Sequence, residues 1–346
     1  MKILVTGGAG FIGSALVRHL VCDLQYEVCT VDKLTYAGHR ANLSACDGHS
    51  NHRLVELDVC ERDALRALCA DWRPDAIAHL AAESHVDRSI DAPAEFLHTN
   101  VLGTFNVLEA ARGCGATRVL HVSTDEVYGS LGERGAFDEA SPREPNSPYS
   151  ATKAAADHLA RAWHKTYGAP VIVSNCSNNY GPYQHPEKLI PLAIRRALSD
   201  EPIPLYGDGQ QVRDWLHVDD HVRALTMLLE RGAPGSAYNI GARTERTNLE
   251  VAQTVLHAVA ARRGLASDAL DHLLRFVADR PGHDRRYAID PSRIEADFGF
   301  RARHDFDDGV RATVDWYADN AAWCEAVGYG GERLGLNLSA ASGAAR

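Results

Sequence analysis

The first thirteen residues restrict this chain more than any other segment. Lys2–Thr6 is a short apolar run with strand character that leads directly into Gly7-Gly8-Ala9-Gly10-Phe11-Ile12-Gly13, and a helical pattern follows. Gly8-x-Gly10-x-x-Gly13 in that setting permits a tight turn and lets backbone N–H groups and a helix N-terminus approach a pyrophosphate. Asp32 closes the second apolar run, about 20 residues past the last glycine, where a carboxylate accepts hydrogen bonds from a ribose diol and repels a 2′-phosphate. The pattern predicts a dinucleotide site that takes NAD in preference to NADP. Against it stands the plainer reading of a tight turn and a solvated strand end.

The rhythm of the first half supports the dinucleotide reading. Apolar runs at Lys2–Thr6, Glu27–Asp32, Arg53–Leu57, Ala76–Leu80 and Arg118–Ser123 alternate with helical stretches near 11–23, 61–71 and 93–113. A helix over 148–168 and a strand at 170–175 continue the winding. Continuous apolar strands separated by helices imply a parallel sheet covered on both faces. After about residue 176, Pro and Gly punctuate shorter elements, with helical stretches near 187–199, 218–231, 248–263 and 305–324. The expected fold is α/β: a doubly wound parallel sheet with a smaller C-terminal substrate-binding lobe. The dinucleotide-binding domain spans 1–176, with later segments open to completing its sheet. The lobe spans mainly 177–328, and a mobile tail is expected over 329–346.

Composition narrows the partners. The chain has 346 residues, 45% of them hydrophobic, and a formal net charge of -10. An acidic chain argues against a nucleic-acid groove or an anionic membrane surface as partner, while locally gathered Arg and Lys still suit an anionic small molecule. The eight cysteines are scattered without a C-x-x-C pair, so they read as reduced thiols. The N-terminal apolar run carries glycines and no cleavage region, and no stretch approaches about 18 uninterrupted apolar residues. A cytoplasmic location is expected.

The candidate chemistry lies around the fifth strand and the helix after Ser147-Pro148. Tyr149-x-x-x-Lys153 puts a phenol and an ammonium on one helix face. A nearby ammonium, with a positive nicotinamide ring, would lower the phenol's pKa toward that of a usable base. Ser123-Thr124 offers a hydroxyl at the end of the fifth strand, followed by Asp125-Glu126, where open α/β sheets bind ligands. Ser123-x-x-Glu126 equally fits a capping box. Asp58 after the third strand and Leu80-Ala81-Ala82 after the fourth are further candidates for cofactor contact.

These segments carry a resemblance. The chain is similar, over about residues 1–320, to the dTDP-glucose 4,6-dehydratases of the extended short-chain dehydrogenase/reductase superfamily, which have a Rossmann fold. The similarity runs through Thr6-Gly-Gly-Ala-Gly-Phe-Ile-Gly13, Asp32-Lys-Leu-Thr-Tyr-Ala-Gly38, Ala81-Ala-Glu-Ser-His-Val-Asp-Arg-Ser89, Thr124-Asp-Glu-Val-Tyr-Gly129 and Tyr149-Ser-Ala-Thr-Lys153. It continues in Ser177-Asn-Asn-Tyr-Gly-Pro-Tyr183, Pro186-Glu-Lys-Leu-Ile-Pro191, Gln211-Val-Arg-Asp-Trp-Leu216 and Arg280-Pro-Gly-His-Asp284. The glycine motif and the Tyr/Lys pair mark the whole superfamily, whereas Thr-Asp-Glu and the downstream segments are more specific.

The resemblance implies roles at matching positions. NAD contacts fall on Gly7, Gly10, Phe11, Ile12, Gly13, Asp32, Lys33, Asp58, Val59, Leu80, Ala81, Ala82, Thr99, Tyr149 and Lys153. Tyr149 would take the proton of the sugar 4-hydroxyl, Lys153 would hold the nicotinamide ribose and Thr124 would bond the C4 oxygen. Glu126 would take the C5 proton and Asp125 would protonate the leaving C6 hydroxyl, which requires that Asp125 be the protonated carboxyl. Nucleotide-sugar contacts fall on Ser84, His85, Asp87, Asn178, Lys188, Leu189, Pro204, Tyr206, Arg213, Asn248 and His283, with dTDP-glucose or a related nucleotide sugar as partner and a homodimer as assembly. The alanine-rich helices near 93–113 and 148–168 are the expected dimer faces. His217-Val-Asp-Asp-His221 has ligand-like spacing but reads better as a helix N-terminus, so no metal is expected. A nucleotide-sugar 4-epimerase would share the cofactor residues and the Tyr/Lys pair, and a dinucleotide-sensing protein would need the cofactor residues but not the Thr124 hydroxyl, Tyr149 or Lys153; only a dehydratase needs Asp125 and Glu126 as an acid/base pair.

Overall fold

The computed structural model describes residues 1–328, so the tail assigned to 329–346 lies outside the described residues. The strands in chain order are β1 (Lys2–Thr6), β2 (Glu27–Asp32), β3 (His52–Glu56), β4 (Ala76–His79), β5 (Arg118–Thr124), β6 (Val171–Cys176), β7 (Asn178–Tyr180), β8 (Ile203–Tyr206), β9 (Val212–His217), β10 (Ala237–Ile240), β11 (Glu245–Thr247) and β12 (Leu274–Val277). A seven-stranded sheet runs in the order β10-β6-β5-β4-β1-β2-β3, and all of its pairings are parallel. Strand order reverses between β1 and β4, and ligands of such sheets bind at the strands' carboxyl ends beside that point.

The sheet is apolar on both faces because helices cover both. One face packs Ile3, Val5, Leu120 and Ile172 against Leu16, Leu20, Leu225 and Leu228. The other packs Leu4, Ile77, Val119 and Val171 against Leu65, Val107, Leu108 and Ala160. Completion of the sheet by β10, more than sixty residues after β6 in the chain, leaves part of the segment between them and of the residues after β10 to build the lobe, while helix Val218–Arg231 covers the sheet. There β11-β9-β7 and β12-β8 form two small sheets. Helices Leu189–Leu198, Asn248–Arg262 and Phe306–Asp319 close a separate core through Ile190, Ile194, Val255, Val259, Val310 and Val314. None of the helices among the described residues is long and apolar enough to cross a membrane.

Candidate active site

The glycine loop is built by contacts that no side chain could share. Gly7 has φ +68° and lies so close to the start of the 80–82 segment that a Cβ there would come within 2.5 Å of the Ala81 nitrogen. A Cβ on Gly13 would stand 2.1 Å from the Gly7 carbonyl oxygen. Gly10 caps helix Phe11–Arg18 with no side-chain acceptor, which leaves the first N–H groups facing the cleft. Asp32 takes the Ala9 N–H on Oδ2 and the Leu34 N–H on Oδ1, each at 2.9 Å. Those bonds offset part of the burial that raises its pKa, and each oxygen retains a lone pair for a diol.

One continuous cleft is lined by Gly7, Gly10, Phe11, Ile12, Gly13, Asp32, Lys33, Asp58, Val59, Leu80, Ala81, Ala82, Thr99, Tyr149 and Lys153. Lys33 ties its wall together, with Nζ 3.4 Å from Thr99 Oγ1, 3.5 Å from Glu83 and 3.7 Å from Asp58. A loop that only glycines can occupy, an uncapped helix N-terminus and a buried carboxylate at the end of β2 together fit a dinucleotide.

The same cleft ends on Thr124, Asp125, Glu126 and Asn178. Helix Pro148–Tyr167 starts where Ser147 and Ser150 cap each other and stops at Gly168, so Tyr149 and Lys153 lie in its first turns beneath the ends of β5 and β6. Lys153 Nζ donates to the Val122 carbonyl at 2.8 Å. The Tyr149 phenol is pushed well above its usual value, first by burial and then by the Glu126 and Cys176 charges, with Thr124 pulling the other way. The expected lowering by Lys153 is therefore not made by this pair of side chains. The ammonium is held on strand β5 by the Val122 carbonyl, and the positive ring of an oxidised nicotinamide would lower the phenol's pKa.

The capping alternative for Glu126 is corrected. The Glu126 N–H is bonded at 3.3 Å to the Thr124 hydroxyl, which makes Thr124 the cap of the short turn Asp125–Tyr128 and removes Ser123 and the Glu126 side chain from that task. Asp125 is 1% exposed, and its Oδ2 is buried without a hydrogen-bond partner among the described residues. Burial, then Glu126 and Asp214, hold it well above the usual carboxylate range. Burial also raises Glu126, but there Arg280, Arg213 and Lys188 oppose it.

The remaining predicted residues divide into two groups. Ser84, Asn178 and Lys188 line the cleft, and Lys188 Nζ donates to the Ser84 carbonyl at 3.0 Å. His85, Asp87, Leu189, Pro204, Tyr206, Arg213, Asn248 and His283 stand outside that lining, in and around the lobe. Asp87 joins several of them, accepting the Tyr206 hydroxyl at 2.6 Å and Arg280 Nη1 at 3.0 Å. His283 meets the Tyr206 ring edge-on at 5.9 Å and pairs with Asp279 at 2.6 Å. Arg213 lies 4.2 Å over the Tyr287 ring and donates to the Asp284 carbonyl at 3.0 Å. His85 caps helix Val86–Asp91 and is held neutral by burial, its pKa lowered to about 2. Asn248 opens helix Asn248–Arg262, Leu189 opens Leu189–Leu198, and Pro204 lies on β8 opposite Arg275.

A family model described as GDP-mannose 4,6 dehydratase matches residues 4–313. The dTDP-glucose 4,6-dehydratase of Neisseria meningitidis serogroup B is 51% identical, with 96% of this chain and 98% of that protein covered. A probable dTDP-glucose 4,6-dehydratase of Sinorhizobium fredii is 53% identical over 97% of this chain and 99% of its own length. This chain belongs to the dTDP-glucose 4,6-dehydratase family. The Streptomyces venezuelae dTDP-glucose 4,6-dehydratase solved with NAD bound superposes with a TM-score of 0.89 at 47% identity, covering 94% of this chain and all of that one. A Thermus thermophilus UDP-glucose 4-epimerase in complex with NAD reaches 0.83 at 31% identity, covering 92% and 100%. Both the fold and the cofactor are thus those of the dehydratase family, and the epimerases are its more distant neighbours.

The sequence reading passed over Arg280, Tyr287 and Glu187. Arg280 and Glu187 stand inside segments that carried the family resemblance, but no spacing rule singles them out, because their ion-pair partners Asp87 and His85 are more than 90 residues away. The His217–His221 pair does not converge. His217 caps helix Val218–Arg231, while His221 meets Asn179 Oδ1 at 2.8 Å in the core. A different trio, His217, Asp219 and His304, brings its donor atoms within 4.8 Å. There the His304 ring is stacked 4.0 Å over His217, which aims the in-plane lone pairs side by side and not at one point.

Proposed function

We infer that the chain converts dTDP-glucose to dTDP-4-keto-6-deoxyglucose with NAD held in the cleft. Bound NAD supplies the hydride acceptor for C4 and, once reduced, the hydride donor for C6. The chain's own residues move the protons. The Tyr149 phenolate takes the 4-hydroxyl proton while Thr124 Oγ1 holds that oxygen. Glu126 removes the C5 proton acidified by the new ketone, Asp125 Oδ2 gives its proton to the C6 hydroxyl, which leaves as water, and Glu126 returns its proton to C5 as C6 is reduced. Lys153 stays anchored to β5 and holds the nicotinamide ribose. Lys188, Asn178 and Arg213 neutralise or bond the diphosphate, and Tyr206 stacks on the base.

The observation that carries this reading is the unequal pair Asp125 and Glu126, since a 4-epimerase has no use for an acid and a base at neighbouring carbons. Incubation with dTDP-glucose and a panel of other nucleotide-glucoses should yield a 4-keto product, seen by its absorbance in alkali, with the thymidine nucleotide preferred. An epimer without 4-keto product would instead establish the epimerase reading.

On the helices expected to form the dimer faces, Ala110, Ala111, Ala154 and Ala156 are buried within the chain and serve internal packing, whereas Ala155 is half-buried. Leu97 and Leu102 on the same helical segment are 57% and 42% exposed, and this face supports a homodimer, to be checked by light scattering at micromolar concentration. The unpaired state of all eight cysteines supports a reducing, cytoplasmic setting.

A further inference from the structure

Three segments distant in the sequence meet over the cofactor half of the cleft through side chains that the chemistry above does not use. Tyr36 belongs to the loop after β2, Arg88 to helix Val86–Asp91, and Glu187 to the entry of helix Leu189–Leu198. The Arg88 guanidinium lies over the Tyr36 ring, 3.6 Å from its centroid, which is cation–π distance. His185 meets the same ring edge-on at 5.4 Å. The Tyr36 hydroxyl faces the Glu187 carboxylate closely enough that the two groups shift each other's pKa, Tyr36 upward. Glu187 in turn lies 3.7 Å from His85 Nε2 and 3.9 Å from Arg88 Nε, with its side chain 3% exposed.

What these contacts hold down is the cover of the cofactor site. Thr35, Ala37 and Gly38, on either side of Tyr36, line the cleft. Gly38 presses on Asp32 so closely that a Cβ would stand 2.6 Å from its Oδ1. On the other side, Lys188 follows Glu187 directly and its ammonium sits on the Ser84 carbonyl, where the cleft turns toward the sugar-nucleotide half. A buried carboxylate is a costly way to pack three loops, and apolar side chains would do so at less cost. A carboxylate and a cation held by few contacts do, however, make a closure that opens and recloses as a unit.

We propose that Tyr36, Arg88 and Glu187 form a latch that closes the 33–38 loop over NAD and couples cofactor release to occupancy of the nucleotide-sugar half of the cleft. The latch rests on the dehydratase reading. In that reaction the cofactor is oxidised again at the end of each turnover, so holding it in place costs the cycle nothing.

The test uses purified holoenzyme, with NAD release followed by transfer to an excess of alcohol dehydrogenase and ethanol, with and without thymidine diphosphate. Tyr36→Leu and Glu187→Gln are each expected to release NAD at least about tenfold faster than wild type, or about 1.4 kcal/mol. Thymidine diphosphate should slow release in wild type and do so much less in the variants. Melting of the NAD-free proteins separates a latch from plain packing, since a latch leaves those midpoints close to wild type. Should either variant fold poorly, Tyr36→Phe keeps the ring under Arg88 and loses only the hydroxyl, and it must still release NAD faster. Release within about twofold of wild type in the folded variants, or an undiminished effect of thymidine diphosphate, overturns the latch. A protein that takes up no NAD at all overturns the cofactor reading instead, and the latch with it.

Discussion

Asp125 and Glu126 are consecutive in the chain, yet their carboxyl groups meet different balances of charge. Asp125 is flanked by the Glu126 and Asp214 carboxylates, with its Oδ2 buried and unpartnered among the described residues. Glu126 faces the cations Arg280, Arg213 and Lys188. Like charges favour the proton on the first, and opposite charges favour its loss from the second. Elimination across C5 and C6 needs that asymmetry.

If Glu126 is the C5 base, Glu126→Gln should oxidise C4 and then stall, so enzyme-bound NADH accumulates on mixing with dTDP-glucose. Tyr149→Phe should show no NADH signal, because oxidation itself is blocked. The cap belongs to Thr124, so the stability cost of Glu126→Gln should be about 1 kcal/mol or less. Stopped-flow absorbance of the nicotinamide reads both variants, and normal turnover in Glu126→Gln removes it from this role.

Asp125 should leave a mark on stability as well as on rate. Its folded pKa is raised, so the stabilisation from its bound proton is complete below the usual 3.8 and is lost as pH rises through the folded value. Asp125→Asn cannot lose a proton there. Its melting midpoint should therefore gain on wild type as pH rises above about 4. A gap that stays constant or narrows over that range counts against a protonated Asp125, as does an unchanged alkaline limb of kcat.

His221 has the opposite sign. Burial lowers its pKa to about 3, so it is neutral in the fold and must gain a proton on unfolding in acid. Its contribution is present above about 6.5 and declines as pH falls toward 3, by roughly 1.4 kcal/mol per pH unit. Denaturant unfolding of His221→Gln should show a shallower loss of stability between about pH 6.5 and about pH 4 than wild type. Parallel curves would show that His221 does not titrate this way.

Gly13→Ala tests the glycine cradle. The added methyl would lie 2.1 Å from the Gly7 carbonyl oxygen, so the loop must shift. A cost of about 1–3 kcal/mol and loss of tight NAD binding are expected. Thermal melting and retention of NAD through gel filtration check the two effects, and retention like wild type would show that the cradle yields without harm.

The sequence by itself determined whatever depends on neighbours along the chain. The glycine turn, Asp32 at the end of β2, the Tyr149/Lys153 helix face and the alternation that makes a doubly wound sheet all follow from spacings of a few residues, which backbone geometry converts directly into proximity. It could not place β10, because an edge strand is recruited from more than sixty residues away by the open backbone edge of β6. Nor could it separate capping from catalysis at Ser123–Glu126, since both readings use the same spacing. The folded chain gives the cap to Thr124, which frees the Glu126 side chain from that task, and sets cations from β9 and from the 280 loop against Glu126. The Tyr36–Arg88–Glu187 cluster was out of reach for the same reason. Electrostatic and ring contacts are set by distance in space, and the residues that make them here are separated by 52 and 99 positions.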